Sequence, residues 1–147
     1  MDGLILVLTA LAGCLMPVQP AVNAVAAQLM GSPYLASFFS FLTGTVVLGL
    51  LCLALRLPWP DGKVLTGLPW WVWTAGSMGA FFVTMTIVAV PRLGAMSVMA
   101  LLVAGQMGMS LVMDHFGWLG IPSQPISTGR ILGAVLLFTG VVLIRKF

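Results

Sequence analysis

The sequence predicts an all-α integral membrane protein with five transmembrane helices, and three observations predict it. Of its 147 residues, 61% are hydrophobic and only 6% are charged, against about 25% charged in a soluble domain. Five apolar stretches each approach or exceed the roughly 20 residues that cross a hydrocarbon core. None alternates with the period of two that a barrel strand needs. Helices are therefore required, because the bilayer core has no water for unpaired backbone groups.

The spans read as residues 4–29, 34–55, 69–90, 94–113 and 129–145, one five-helix domain over 1–147. Span one follows Met1-Asp2, with no Lys or Arg before Arg56. It lacks the basic leader of a signal peptide, despite the small residues Ala24-Val25-Ala26, and reads as a retained span. Pro17 and Pro20 fall inside it, and proline removes a backbone donor and kinks a helix. Gly31-Ser32-Pro33 makes a tight turn into span two. Residues 56–68 form a polar loop containing Pro58, Pro60, Asp61 and Lys63. Pro91-Arg92-Leu93-Gly94 separates span three from span four, and residues 114–128, with Pro122 and Pro125, make the longest connection.

Small residues mark faces where helix backbones approach in lipid. Gly129, Gly133 and Gly140 share a face of span five, Ser37, Ser40 and Gly44 a face of span two, and Ala104 and Gly108 a face of span four. Cys14 and Cys52 both lie within spans and read as small apolar filler.

Charge then bears on orientation. Five alternating spans put Arg56, Lys63 and Arg130 on the N-terminal side and Arg92, Arg145 and Lys146 on the other. Lys/Arg bias orients insertion, and three against three leaves almost none. The α-amino group of Met1 makes the count four against three, still near balance. All five tryptophans, Trp59, Trp70, Trp71, Trp73 and Trp118, fall on the N-terminal side, although membrane proteins carry aromatic belts at both interfaces. Insertion in both directions, giving an inverted pair, supplies the missing belt.

Catalysis has no visible apparatus here. There is no glutamate, and HExxH, GxxxxGK[ST], GxSxG and CxxC are all absent. No enzyme activity, cofactor or metal is expected, and the dispersed net charge of +3 is no argument for nucleic acid. What remains is polar groups inside spans, where each needs a partner or a role. Gln19 and Asn23 lie four apart on one face of span one. Gln106, Ser110 and Asp114 form a stripe on span four, ending in a carboxylate at the membrane edge beside His115. Thr74, Ser77 and Thr84 of span three are expected to bond back to their own helix. Gln19, Asn23, Gln106 and Ser110 are the candidate substrate-binding residues. Arg92 and Asp114 are candidates for gating, or for pairing between inverted copies.

Several of these segments carry a resemblance. They are Gln19-Pro20-Ala21-Val22-Asn23-Ala24, the run from Pro33 to Gly44, Arg92-Leu93-Gly94-Ala95, Gly105-Gln106, Asp114-His115-Phe116-Gly117, Pro125-Ile126-Ser127, Arg130, Gly133 and Gly140-Val141. In this order they resemble the YdcZ-type family, the short five-helix branch of the drug/metabolite transporter superfamily. The resemblance implies a bacterial inner-membrane protein and a ten-helix antiparallel homodimer, or a pair with an oppositely oriented homologue. It also implies a cavity between the halves and alternating access. Related small multidrug resistance proteins use a span-one glutamate to exchange protons for cations, and this chain has amides there instead. An amide wall suits a polar neutral, zwitterionic or anionic solute. The expected function is a small dual-topology transporter, with the bilayer and a second copy as partners and spans one to four around the cavity. A small ion channel is the alternative reading.

Overall fold

The structure, a computed structural model, describes residues 2–146; Met1, whose α-amino group entered the charge count, lies outside them. Its elements are seven α-helices: α1 Asp2–Leu15, α2 Val18–Met30, α3 Pro33–Ala54, α4 Gly62–Gly67, α5 Thr74–Leu93, α6 Ala95–Phe116 and α7 Thr128–Lys146. Short 3-10 turns at Trp70–Trp73 and Trp118–Gly120 precede α5 and follow α6. Five stretches are long and apolar enough to cross a membrane: Gly3–Met30, Pro33–Ala54, Trp70–Leu93, Ala95–Phe116 and Thr128–Lys146.

Local chemistry sets the breaks. Span one divides at Met16-Pro17, as its prolines predict, and the Met16 N–H turns back to the Gly13 carbonyl at 3.2 Å. Gly31 takes a left-handed φ of +70°, which a side chain would resist. Ser32 then caps α3, its Oγ accepting from the Leu35 N–H at 3.4 Å, with Pro33 in the first turn, where its missing donor costs nothing. The far end of α3 closes in a Schellman arrangement. Arg56, at φ +52°, donates its N–H to Leu53 O, and Leu57 donates to Cys52 O, both at 3.0 Å.

Two expected boundaries move. The break after span three falls on Gly94, at φ +78°, rather than on Pro91, and α5 continues through the proline to Leu93. Span four runs past Asp114 to Phe116, where Gly117 ends it in the left-handed conformation. A Cβ at Gly117 would meet the Ile121 carbonyl at 3.3 Å. The loop 56–68 also holds the one-and-a-half-turn α4, which the reading as a plain polar loop missed.

The chain forms two compact units. In the unit Val18–Arg92, α2 and α3 pack as a hairpin. Ala36 of α3 packs against Val83 and Ile87 of α5, with Ala26, Ala27 and Phe82 at the margin. Small residues allow this approach: a Cβ at Gly79 would come within 3.3 Å of Phe41 Cζ. In the other unit, up to Pro17 and from Leu93, α6 packs along α7, with Phe138 nearest Gly108. Val98 and Ala104 of α6 and Val141 of α7 are buried, whereas many large apolar side chains, such as Leu6, Val47 and Leu136, are exposed, as lipid-facing residues are.

Candidate functional site

In the Val18–Arg92 unit, the amide face of α2 looks onto α3. Asn23 is buried, 8% exposed, and its Nδ2 donates to Ser40 Oγ at 3.2 Å. Gln19, one turn earlier on the same face, lines a cavity of about 240 Å³ with Ser40, Gly44 and Thr45. Gly44 leaves that wall open, since nothing lies within 4 Å of where its Cβ would be. Among the described residues Gln19 makes no side-chain hydrogen bond, so its amide is free for a ligand in the cavity.

A hydroxyl pair lies deeper. Ser37 Oγ donates to the Pro33 carbonyl at 2.9 Å and lies 2.8 Å from Thr84 Oγ1. A hydroxyl has one proton, so Thr84 donates to Ser37. This corrects the expectation that Thr84 bonds to its own helix; it ties α3 to α5. Thr74 and Ser77 do bond back, to Trp71 O at 2.6 Å and Thr74 O at 2.9 Å.

The other unit carries the second stripe. Ser110 and Asp114 of α6 line a groove of about 330 Å³ together with Arg130 and Gly133 of α7. Gln106 is exposed and outside that groove. Arg130 Nη1 donates to Asp114 Oδ2 at 3.3 Å, both side chains about one-third exposed. Arg130 also holds Gln124, through Nη1 to its carbonyl at 3.2 Å and Nη2 to its Oε1. The Gln124 N–H donates to Asp114 O at 2.7 Å, and the Ile126 N–H donates to His115 Nδ1 at 3.3 Å. The long connection is thereby fastened to the end of α6.

Asp114 thus has a partner in its own chain, and an Arg92 from a second copy would compete with Arg130 for it. Sequence reasoning placed Arg130 in the charge count and among the residues of the family resemblance, with no partner named for it. Its signal was available: it lies on the same side as Asp114, three residues into the next span. The glycines expected to pack helices, Gly44, Gly129, Gly133 and Gly140, have nothing within 4 Å of their Cβ positions. Inside one chain their faces are open.

These features meet the comparisons with known proteins. Residues 4–143 match the family model described as "Putative inner membrane exporter, YdcZ". The chain belongs to this family. A relative, the inner membrane protein YdcZ of Escherichia coli (strain K12), is 34% identical over 85 residues, which are 58% of this chain and 56% of that protein. The chain thus spans a little over half the length of that relative. No solved structure matches. With five spans and this family, the protein is a multi-pass inner-membrane protein.

Proposed function

We propose that the chain is a small exporter that works as an inverted homodimer, carrying a small polar solute through a cavity between the two copies. The observation that carries this reading is the face of α2: a buried Asn23 held by Ser40 beside a Gln19 amide left open over a cavity. Membrane proteins bury amides at a cost that a solute path justifies. Gln106 and Ser110 of α6 are further polar groups that this reading assigns to solute binding. The odd number of spans, the near-balanced basic residues and the single-sided tryptophans support the inverted pairing. Two identical, inverted copies also make the inward-open and outward-open states equivalent in the absence of gradients, as alternating access requires. The open glycines of α7 outside the α6–α7 groove, Gly129 and Gly140, are available for helix packing between copies.

The test is a thermal-shift screen of small polar solutes on purified protein, with hits carried into flux measurements in proteoliposomes. A solute that stabilises the protein and is transported by wild type, but not by Gln19→Ala, supports the reading. Equal flux in wild type, Gln19→Ala and Gln106→Ala contradicts it.

A further inference from the structure

A third cavity lies at the opposite end of the Val18–Arg92 unit from the polar loop, where the α2–α3 turn meets the last turn of α5. It has a volume of about 360 Å³, with Ala27, Ile87 and Val88 on its floor and Gln28, Ser32 and Arg92 around it. Ser32 is occupied in capping α3. Arg92 and Gln28 are not occupied: among the described residues neither side chain makes a hydrogen bond or an ion pair. The acidic residues of the chain are Asp2, Asp61 and Asp114. Asp61 precedes α4, at the other end of the 20-residue α5, about 30 Å away at 1.5 Å per residue. Asp114 is held by Arg130. Within the Val18–Arg92 unit Asp61 is the one acidic residue, and it stands at the far end of α5, so no acidic side chain of that unit is available to neutralise Arg92.

A cation in the last turn of a helix is favourable on its own, because it meets the negative end of the dipole. That accounts for a charge at position 92. It does not account for an unengaged amide beside the same cavity. A guanidinium presents a planar fork of N–H donors matched to a carboxylate or phosphate, and the Gln28 amide adds further donors. We infer that the Arg92–Gln28 rim binds a compact oxyanion, a carboxylate or phosphate group. The group belongs either to a soluble anion or to the headgroup of an anionic lipid, since Arg92 lies near the membrane edge. The site is separate from the Gln19 cavity and does not depend on transport.

The experiment is calorimetric titration of the full-length protein with inorganic phosphate, in nanodiscs of phosphatidylcholine or of phosphatidylglycerol. In phosphatidylcholine, wild type should bind phosphate saturably. Arg92→Gln should weaken binding about tenfold or more, the size of one charge-assisted hydrogen bond. Gln28→Leu should weaken it less, and Arg92→Lys should retain part of it. Arg130→Gln, at the cation of the separate α6–α7 groove, should bind as wild type does. Equal binding in both lipids assigns the site to a soluble anion. Loss of phosphate binding in phosphatidylglycerol assigns it to a lipid headgroup, and either outcome upholds the oxyanion site. No saturable binding by folded wild type in phosphatidylcholine, or binding as tight as wild type by both Arg92→Gln and Gln28→Leu, overturns it. Phosphate binding without flux of any solute would leave this site standing and remove the transport reading.

Discussion

Arg130 Nη1 and Asp114 Oδ2 meet at 3.3 Å, and each residue stands at the end of its helix where the dipole opposes its charge. Asp114 is in the last turn of α6 and Arg130 in the first turn of α7. A helix C-terminus disfavours an anion and an N-terminus disfavours a cation. Pairing the two offsets both penalties and fixes the connection, because Gln124 is tied to both residues.

The charge swap is therefore the informative experiment. Asp114→Asn or Arg130→Gln should each destabilise the protein by about 1 kcal/mol, the scale of a partly exposed pair. The double variant Asp114→Arg/Arg130→Asp puts each charge at its favourable helix end and should recover wild-type thermal stability. Swapping Asp114 with Arg92 instead should not recover it. Rescue by the Arg92 swap alone would move the pairing from within one chain to between two copies.

Two threonines two residues apart on α5 should respond differently. Thr84→Val removes the donor to Ser37 and should cost about 0.6–2 kcal/mol, the range for hydrogen bonds between membrane helices. Thr86 is 2% exposed but donates to Val83 O of its own helix at 2.8 Å, so Thr86→Val should be nearly neutral. Detergent-titrated unfolding measures both, and equal losses would contradict the assignment of the bond between α3 and α5.

Gln19 and Asn23 separate function from stability. Asn23→Leu strands Ser40 and should lower the melting temperature together with flux. Gln19→Ala breaks no hydrogen bond among the described residues and should leave the melting temperature unchanged while reducing solute flux. A Gln19→Ala protein that melts early would place that side chain in packing instead.

Much of this organisation was legible in the chain. The span count followed from apolar length, and the break at Met16-Pro17 followed from Pro17. The start of α3 followed from Ser32-Pro33. The end of α6 was misplaced because Asp114 looked like a membrane edge, while Gly117, a residue suited to a left-handed helix terminus, carried the true stop. The partners of polar groups were not legible. Ser37 and Thr84 are 47 residues apart, and either hydroxyl has a nearer backbone carbonyl to choose. Arg130 and Asp114 are separated by a connection whose path depends on Gln124 and His115, which no periodicity reveals.

The glycines of α7 distinguish a chain that packs alone from one that packs against a copy. Nothing lies within 4 Å of a Cβ at Gly129 or Gly140, so Gly129→Leu and Gly140→Leu should fold normally. If these faces meet a second copy, the same variants should shift the protein from dimer to monomer in detergent by size-exclusion chromatography with light scattering. An unchanged dimer would assign those faces to lipid.

The central claim is that one sequence inserts both ways and pairs with its inverted twin. The most direct measurement fuses a cytoplasm-active fluorescent reporter or a periplasm-active phosphatase after Phe147. Comparable activity from both fusions is the predicted result, and adding basic residues to the 56–68 loop should abolish one of them. Activity from a single fusion of the unaltered chain would contradict the account, since one orientation cannot form an inverted homodimer.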